Sequence, residues 1–299
     1  MNGSGTALVA MSGGVDSSTT ALLLKERGYN VIGITMRLHD DDAPGIDQNR
    51  PCCSTSMARR AAAVCRQIDA PHYVVDFREE FKNYVMDDFF EQYISGKTPN
   101  PCVRCNTYIK WEPLVRKKNE LGADFIATGH YARIIRNDAT EQFELHRGRD
   151  LSKDQSYFLW GLTGEQLAFT LFPLGEMTKK EVRKLAGKYE LASAETPESM
   201  EVCFIPDNNY RTFIDSRLKD SGKTIEAGSF QDPKGNILGS HEGFHNFTIG
   251  QRKKLGLSIG RKVYVSDIRP DENIVVLGDE EDLLTDELSA NLLNWVNGI

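Results

Sequence analysis

A glycine turn near the start of the chain has the residue types and spacing of an anion-binding loop. The run SGGVDSS, Ser12 to Ser18, follows an apolar strand predicted at Thr6 to Met11 and precedes a helical stretch that ends near Gly28. Glycines let backbone amides approach a phosphate, and a helix N-terminus supplies partial positive charge. The Lys-Ser/Thr ending of a Walker loop is missing, which disfavours transfer of a terminal phosphoryl group. We therefore expect nucleotide binding without phosphoryl transfer.

Three cysteines are candidates for sulfur or metal chemistry. Cys102 and Cys105 form a C-x-x-C in the loop TPNPCVRCN, before a helix predicted from Thr107, and Cys203 lies in SMEVCFIPD. Thiols beside Arg104 and a helix N-terminus should have a lowered pKa, which favours a thiolate nucleophile or a metal ligand. Three thiols cannot complete a four-ligand zinc site. They suit either a cluster with one open iron or a nucleophile and a persulfide carrier with one bystander.

The remaining cysteines favour structural roles. Cys65 falls among alanine and valine on a predicted helix, which favours a small buried side chain. Cys52 and Cys53 lie at the start of that helix, and the sequence leaves their role undecided, with a structural role favoured.

Composition limits the classes of protein that this chain can belong to. The 299 residues fit a prior of about two domains of roughly 150 residues each, and 40% hydrophobic with 26% charged residues is typical of a globular protein. No apolar run reaches the roughly 18 residues of a membrane span, and no secretory signal is visible, so we expect a cytoplasmic location. A net charge of −7 disfavours indiscriminate binding of nucleic acid but allows a local basic patch.

Strands and helices alternate along the first 130 residues. Strands are predicted at Tyr29 to Met36, His72 to Val75 and Phe125 to Thr128, and helices at Ser54 to Ile68, Glu79 to Ser95 and Thr107 to Leu121. This alternation predicts a doubly wound parallel sheet whose ligands bind beyond the carboxyl ends of the strands.

The second half of the chain has a different pattern. Helices are predicted at Gly164 to Leu171 and Thr178 to Tyr189. From about Lys223, short segments at Gly243 to Thr248, Lys262 to Asp267 and Asn273 to Leu277 alternate with turn residues, which indicates a small β-rich module.

Eight motifs in one order identify a family. AMSGGVDSS, PCCS, TPNPCVRCN, ATGHYAR, KDQSYFL, FPLGEMTK, VCFIP and FTIGQRKKLGL make the chain similar to the tRNA-specific 2-thiouridylases, the MnmA/TrmU family, over nearly its whole length. SGGVDS itself resembles the PP-loop of ATP pyrophosphatases. The resemblance implies a PP-loop ATP pyrophosphatase domain of the adenine nucleotide alpha hydrolase type at 1–209. A small central domain at 210–280 and the start of a C-terminal β-barrel at 281–299 would follow.

The resemblance also implies an activity and a set of site residues. Members of the family use ATP to replace the 2-oxygen of the wobble uridine in tRNA with sulfur. This reaction would require a sulfur-donor protein and magnesium, and Asp16 would help to hold the magnesium. Cys203 would carry a persulfide, and Cys105 would release the sulfur. The nucleotide would be bound by Ala10, Met11, Ser12, Gly13, Gly14, Val15, Asp16, Ser17, Met36 and Gly129, and tRNA by Asn100, Pro101, Cys102, His130, Lys153, Asp154 and Gln155.

The chain departs from the family pattern in two places. Cys102 stands where many members have aspartate, and it completes a set of three cysteines. In relatives with three such cysteines a [4Fe-4S] cluster on Cys102, Cys105 and Cys203 is the alternative to the persulfide route, and thiol spacing satisfies both. The chain also stops at Ile299, so we expect most of the C-terminal barrel to be absent.

Other interpretations compete with tRNA thiolation. The same loop would serve a ligase that adenylates a small carboxylate or amide acceptor, although the cysteines have no role there. A metal-binding or RNA-binding module without catalysis is the other alternative. One predicted helix is either solvated or faces RNA through its basic residues, Lys179, Lys180, Arg183, Lys184 and Lys188. The basic turn Gly250 to Lys254 is open to the same two interpretations, and for this turn the resemblance favours tRNA. Trp111, Trp160 and Trp295 are predicted in the core.

Overall fold

The chain folds into two compact units, each built from separate stretches of sequence. A computed structural model describes residues 3–39, 55–197, 202–205 and 209–297. Cys52 and Cys53 lie outside these residues. The first unit comprises Met1–Val85, Cys102–Pro206 and Leu293–Ile299, and the second comprises Met86–Pro101 and Asp207–Leu292.

A five-stranded sheet of parallel strands organises the first unit. Its order is β3-β2-β1-β4-β7, so the chain adds strands on one side of β1 and then crosses to the other side. A crevice therefore opens at the carboxyl ends of β1 and β4, where such sheets bind ligands. The strands are β1 (Thr6–Ala10), β2 (Asn30–Arg37), β3 (His72–Asp76), β4 (Phe125–Ala127) and β7 (Thr170–Leu171).

Helices of the first unit pack against this sheet and build a continuous core. Ala7 and Val9 of β1 pack with Ala21 and Leu24 of the first helix, all at 1% exposure or less. Cys65 is fully buried in the same cluster, as predicted, and burial raises the pKa of its thiol to about 11. The helices are α1 (Val15–Glu26), α2 (Thr55–Gln67), α3 (Arg78–Phe81), α5 (Pro101–Arg104), α6 (Glu112–Glu120), α7 (Gly164–Ala168) and α8 (Lys179–Lys188), with α4 (Asp87–Ile94) in the second unit.

The structure confirms the parallel-sheet fold class and corrects several elements. The helix predicted over Gly164 to Leu171 ends at Ala168, because Thr170 and Leu171 pair with β4 as a strand. The two long helices predicted around the cysteine loop each contain a wide π-helical stretch, at Lys82–Met86 and Cys105–Trp111. An antiparallel hairpin of β5 (Ala132–Arg136) and β6 (Phe143–Arg147) was not predicted.

Two of the three tryptophans lie outside the core. Trp111 is buried, as predicted, but Trp160 and Trp295 are 44% and 58% exposed, so their prediction was wrong. The described segment near Trp295 is nevertheless held by backbone groups of the first unit, since Asn294 Nδ2 donates to the carbonyls of Trp160 and Leu162. No strand is found in the described residues 285–297.

The second unit has its own sheet and core. Its order is β10-β11-β8-β9, and Phe230, Val265, Val275 and Leu277 are fully buried between the strands and the loops that cover them. The segment predicted as a strand at Gly243 to Thr248 contains a 3₁₀ turn at Phe244–Asn246 instead. The elements are α9 (Tyr210–Ser221), β8 (Gly228–Gln231), β9 (Ile237–His241), β10 (Tyr264–Arg269) and β11 (Ile274–Gly278).

No helix in the described stretches is both long enough and apolar enough to cross a bilayer.

Candidate functional site

The glycine turn joins β1 to α1 at the crevice of the first sheet. Gly13 has a φ of +69°, and a Cβ placed there would lie 2.5 Å from the carbonyl oxygen of Met57, so only glycine fits. Gly14 caps α1 without a side-chain hydrogen bond. The first turn of the helix therefore presents backbone N–H groups that no capping side chain covers, which suits an anion.

Side-chain hydroxyl groups stabilise the turn through hydrogen bonds to its own backbone. Ser17 Oγ accepts a hydrogen bond from the Ser12 backbone N–H at 3.1 Å and donates to the Gly14 carbonyl at 3.1 Å. Ser18 Oγ donates to the same carbonyl at 2.9 Å. Because all three hydrogen bonds join residues between Ser12 and Ser18, the turn is preorganised for a ligand.

Asp16 projects from this turn into a network that the sequence did not reveal. Lys179 Nζ donates to both carboxylate oxygens of Asp16 at 2.7 Å, and Tyr131 Oη donates to Oδ1 at 2.8 Å. The side chain of Lys179 is only 11% exposed. Lys179 is therefore part of the loop's electrostatic environment and does not belong to a solvated helix face.

The local sequence around Lys179 explains how it is positioned. Thr178 and Glu181 form a reciprocal capping box, which starts α8 at Lys179. The Lys179 backbone N–H also donates to Asp150 Oδ2 at 3.0 Å. The T-x-x-E pattern at Thr178 to Glu181 indicates a helix start in the sequence. Only the fold shows that Lys179 contacts Asp16, 163 positions earlier in the chain.

Gly129 packs directly against the same turn. A Cβ at this position would lie 2.9 Å from both the Asp16 carbonyl carbon and the Ser17 nitrogen. Gly129, the second residue after β4, must therefore be glycine for the two loops to touch.

His130 links this region to the cysteine segment. Its ring is buried, its Nδ1 lies 2.7 Å from Thr128 Oγ1, and its centroid lies 5.8 Å from that of Trp111, the last residue of the stretch that begins with Cys105. Burial holds the pKa of His130 well below its usual value, and the nearby Lys110 lowers it further. The buried histidine therefore packs against Trp111, at the far end of the stretch that begins with Cys105.

The cysteine pair occupies a short helix and the wide turn that continues it. Cys102 lies in α5 and is exposed, and Cys105 begins the Cys105–Trp111 stretch and is partly buried. Arg104 lies 4.6 Å from the ring centroid of Tyr108. Cys203 is also partly buried, in a described segment of four residues, 202–205. Asn100 and Pro101 immediately precede the pair in the chain.

Three predicted tRNA contacts belong to a loop with extensive internal hydrogen bonds. The Asp154 carboxylate accepts hydrogen bonds from Gly148 N, Ser156 N and Ser156 Oγ. Gln155 bonds the backbone of Tyr131 in both directions, its Oε1 accepting from Tyr131 N and its N–H donating to Tyr131 O, each at 3.0 Å. Lys153 lies beside them. The side chains of Asp154 and Gln155 thus shape the loop and hold the tyrosine that contacts Asp16.

The other predicted nucleotide-binding residues lie at strand ends. Ala10 ends β1, and Met36 lies in β2, one residue before that strand ends, and is 8% exposed. Met11 and Val15 are nearly fully buried. Ala10 and Met11 thus lie directly before the turn that carries Ser12, Gly13 and Gly14, and Val15 begins the helix that follows it.

The described residues fit a magnesium ion better than they fit an iron-sulfur cluster. Magnesium is commonly held by one or two carboxylates together with substrate phosphates, and Asp16 supplies one carboxylate at the turn. For the iron-sulfur cluster the arrangement does not fit. Among the residues with described positions, no group of three or more His, Cys, Asp or Glu side chains can hold a metal ion. The described residues therefore do not support a ligand set of Cys102, Cys105 and Cys203.

Comparisons with known proteins agree with this layout. A family model described as a tRNA methyl transferase HUP domain matches residues 5–207, and one described as a tRNA methyl transferase PRC-barrel domain matches residues 211–279. A tRNA-specific 2-thiouridylase MnmA from Lachnoclostridium phytofermentans is 49% identical over 96% of this chain and 80% of its own. The protein of that name from Carboxydothermus hydrogenoformans is 48% identical over 97% of this chain and 79% of its own.

A weaker similarity is structural. A 4-thiouridine synthetase in complex with RNA and ATP aligns with 72% of this chain and 50% of its own, with a TM-score of 0.42 and 14% identity. The family models and the two relatives, in contrast, span nearly the whole sequence, and on their match the chain belongs to the tRNA-specific 2-thiouridylase family.

Proposed function

We propose that this chain is an ATP-dependent tRNA-uridine 2-sulfurtransferase that adenylates the 2-oxygen of the wobble uridine and replaces it with sulfur. The observation that carries this function is the link from the glycine turn through Gly129 and His130 to the segment that starts at Cys105. These contacts connect the glycine turn to the segment that begins with Cys105, and both belong to one unit. Relatives named for 2-thiouridine formation cover nearly the same residues.

The glycine turn would bind the phosphates of ATP. A carbonyl oxygen of uridine is a poor leaving group, so its attack on the α-phosphorus, with loss of pyrophosphate, converts it into the better leaving group AMP. Backbone N–H groups at the start of α1 and the ammonium of Lys179 would stabilise the negative charge that develops on the phosphates. Magnesium bound through Asp16 and the phosphates would neutralise further charge.

Cysteine chemistry would then deliver the sulfur. A donor protein leaves a persulfide on Cys203, whose terminal sulfur attacks C2 of the uridine and expels AMP. The Cys105 thiolate attacks Cys203 Sγ, the bond between the two sulfurs of the former persulfide breaks, and 2-thiouridine leaves with the terminal sulfur. Cys105 and Cys203 end as a disulfide, which an external dithiol reduces.

The substrate base must leave its stack to reach these groups. Enzymes that modify bases generally flip the target out of the RNA. Asn100, Pro101 and Cys102 would contact the flipped uridine, and His130, Lys153, Asp154 and Gln155 would support or contact the surrounding RNA. For Asp154 and Gln155 we propose support through the loop they organise.

Reconstitution with purified components tests this function. The chain is incubated with ATP, magnesium, unmodified tRNA and a persulfide-charged donor, and AMP and 2-thiouridine are quantified. We expect both products from the wild type. Cys105→Ser and Cys203→Ser should abolish 2-thiouridine, whereas Cys65→Ala, which removes a buried thiol outside the site, should retain it. AMP formation with a small acceptor and without tRNA would instead support the ligase interpretation.

A further inference from the structure

The second unit contains a basic loop that is firmly attached to its core. Leu255 and Val263 are buried in the core of this unit, and Leu257 and Ile259 pack partly against it. Between these apolar anchors the loop exposes Arg252, Lys253, Lys254, Arg261 and Lys262. The alternation of apolar and basic residues thus fixes the backbone while it directs the charges outward.

Hydrogen bonds brace the first turn of this loop. Gln251 Nε2 donates to the Lys253 carbonyl at 3.0 Å, and its Oε1 accepts from the Thr248 backbone N–H. The backbone N–H of Val265 donates to the Gln251 carbonyl at 2.9 Å, and the N–H of Gly250 donates to the Val265 carbonyl. Lys254 has a φ of +60°, which is unusual for a residue with a side chain. A braced and strained basic turn is preorganised for a ligand.

The charges of the loop are mostly uncompensated. Arg261 pairs with Asp279. Within the described parts of the chain, Arg252, Lys253, Lys254 and Lys262 pair with no acidic side chain. Four such cations within eleven residues repel one another, in a chain whose net charge is −7. This concentration of positive charge favours a polyanionic ligand.

The loop also borders an open pocket. This pocket of about 530 Å³ is lined by four of the basic residues, Arg252, Lys254, Arg261 and Lys262, together with Leu257, Ser258 and Ile259. Gly256 and Gly260 have φ values of +75°, and a Cβ at either position would meet no atom within 4 Å. The backbone at these glycines is therefore open to a chain that runs across it. The lining has no aromatic ring to stack on a base, so the chemistry favours phosphates over bases.

We propose that this loop is a binding site for the phosphodiester backbone of structured RNA, and that it recognises its ligand independently of sequence. The site deepens the proposed function, because it would hold the tRNA by its backbone while the first unit acts on a single base. It differs from the predicted contacts at residues 100–102, 130 and 153–155, all of which lie before the second unit's main stretch of sequence.

A charge-matched pair of double variants tests the site. Arg252→Gln with Lys262→Gln removes two cations from the loop, and Lys219→Gln with Lys234→Gln removes two exposed lysines elsewhere in the same unit. The Kd for unmodified tRNA is measured from 50 to 200 mM KCl without ATP. For the loop variant we expect a Kd raised about tenfold at the lowest salt and a slope of log K against log salt smaller by about 1 to 2. The control should match the wild type.

Further measurements separate the outcomes. An unrelated RNA hairpin should show the same loss of affinity, because backbone contacts carry no sequence information. Equal Kd values and equal slopes for the loop variant and the wild type would overturn the proposal, as would selective loss of donor-protein binding with tRNA binding intact. A wild-type chain that binds tRNA through this loop but forms no 2-thiouridine would instead refute the proposed function alone.

Discussion

Lys179 Nζ lies 2.7 Å from each carboxylate oxygen of Asp16, and 163 residues of sequence separate the two. The pair lies at the turn proposed to bind ATP, where Tyr131 Oη also donates to Asp16. The contact implies two roles for the lysine. It neutralises Asp16, and we expect it to interact with the phosphates of ATP at this turn.

The first prediction concerns this lysine. Lys179→Met should lower kcat/KM for tRNA-dependent pyrophosphate release about 100-fold, since one preorganised charged donor at a developing anion commonly has an effect of this size. Lys180→Met, at the next position of α8 and exposed, is the matched control and should retain activity. Initial rates of pyrophosphate release measure both. Equal rates for the two variants would refute a role for Lys179.

The second prediction concerns the contact between Gly129 and the glycine turn. Gly129→Ala should raise the Kd for ATP at least tenfold, because its Cβ would lie 2.9 Å from backbone atoms of Asp16 and Ser17 and displace the turn. Isothermal titration measures the affinity. Gly187→Ala serves as control: it lies in α8 with open space around it and should leave ATP binding unchanged while stabilising the fold by about 0.5 to 1 kcal/mol.

The third prediction concerns the stability of the fold at mildly acidic pH. Burial holds the pKa of His130 well below the value of about 6.5 that an exposed histidine has in the unfolded chain. Below about pH 6.5 the unfolded chain therefore binds a proton that the folded chain does not, and the free energy of unfolding falls by up to about 1.4 kcal/mol per pH unit from this residue. Above pH 6.5 its contribution is constant.

Chemical denaturation between pH 5 and 8 measures this effect. His130→Phe retains an aromatic ring beside Trp111 and Phe172 but cannot titrate. Its stability should fall less steeply with acidification than that of the wild type. Parallel slopes for the two proteins would show that His130 is protonated in the folded state.

The fourth prediction concerns thiol reactivity. Burial raises the pKa of Cys65 to about 11, so only about one thiol in a thousand is ionised at pH 8, whereas Cys102 is exposed. Iodoacetamide should modify Cys102 and leave Cys65 intact in the folded protein. Peptide mass spectrometry measures both, and guanidinium should make Cys65 reactive. Rapid modification of Cys65 without denaturant would contradict its placement in the core.

Sequence reasoning found the parts of the site that are local and missed those that depend on tertiary contacts. SGGVDSS was recognisable because glycines, hydroxyls and an aspartate act within seven residues. Lys179 was placed in a group of basic helix residues because nothing in its neighbourhood points to Asp16. The strand at Thr170 and Leu171 is not predictable from the sequence, because two residues carry too little pattern and pairing with β4 decides their conformation.

Tryptophan placement shows the same limit. Trp111 is buried because its indole N–H finds Thr170 Oγ1 at 3.2 Å inside the first unit. Trp160 and Trp295 have equally apolar rings and remain about half exposed. Residue type alone predicts how much free energy burial would release, but the fold determines which ring finds a closed environment.

The hydrogen bonds from Asn294 to Trp160 and Leu162 have a consequence for synthesis. The segment that completes the first unit leaves the ribosome 132 residues after Leu162, when the main stretch of the second unit has already been made. At translation rates of about 5–20 residues per second, the first unit waits roughly 7 to 26 s for these contacts. Ribosome-bound chains stalled before Asn294 lack these two hydrogen bonds, so we expect proteases to cleave the loop around Trp160 more readily in them than in the released chain.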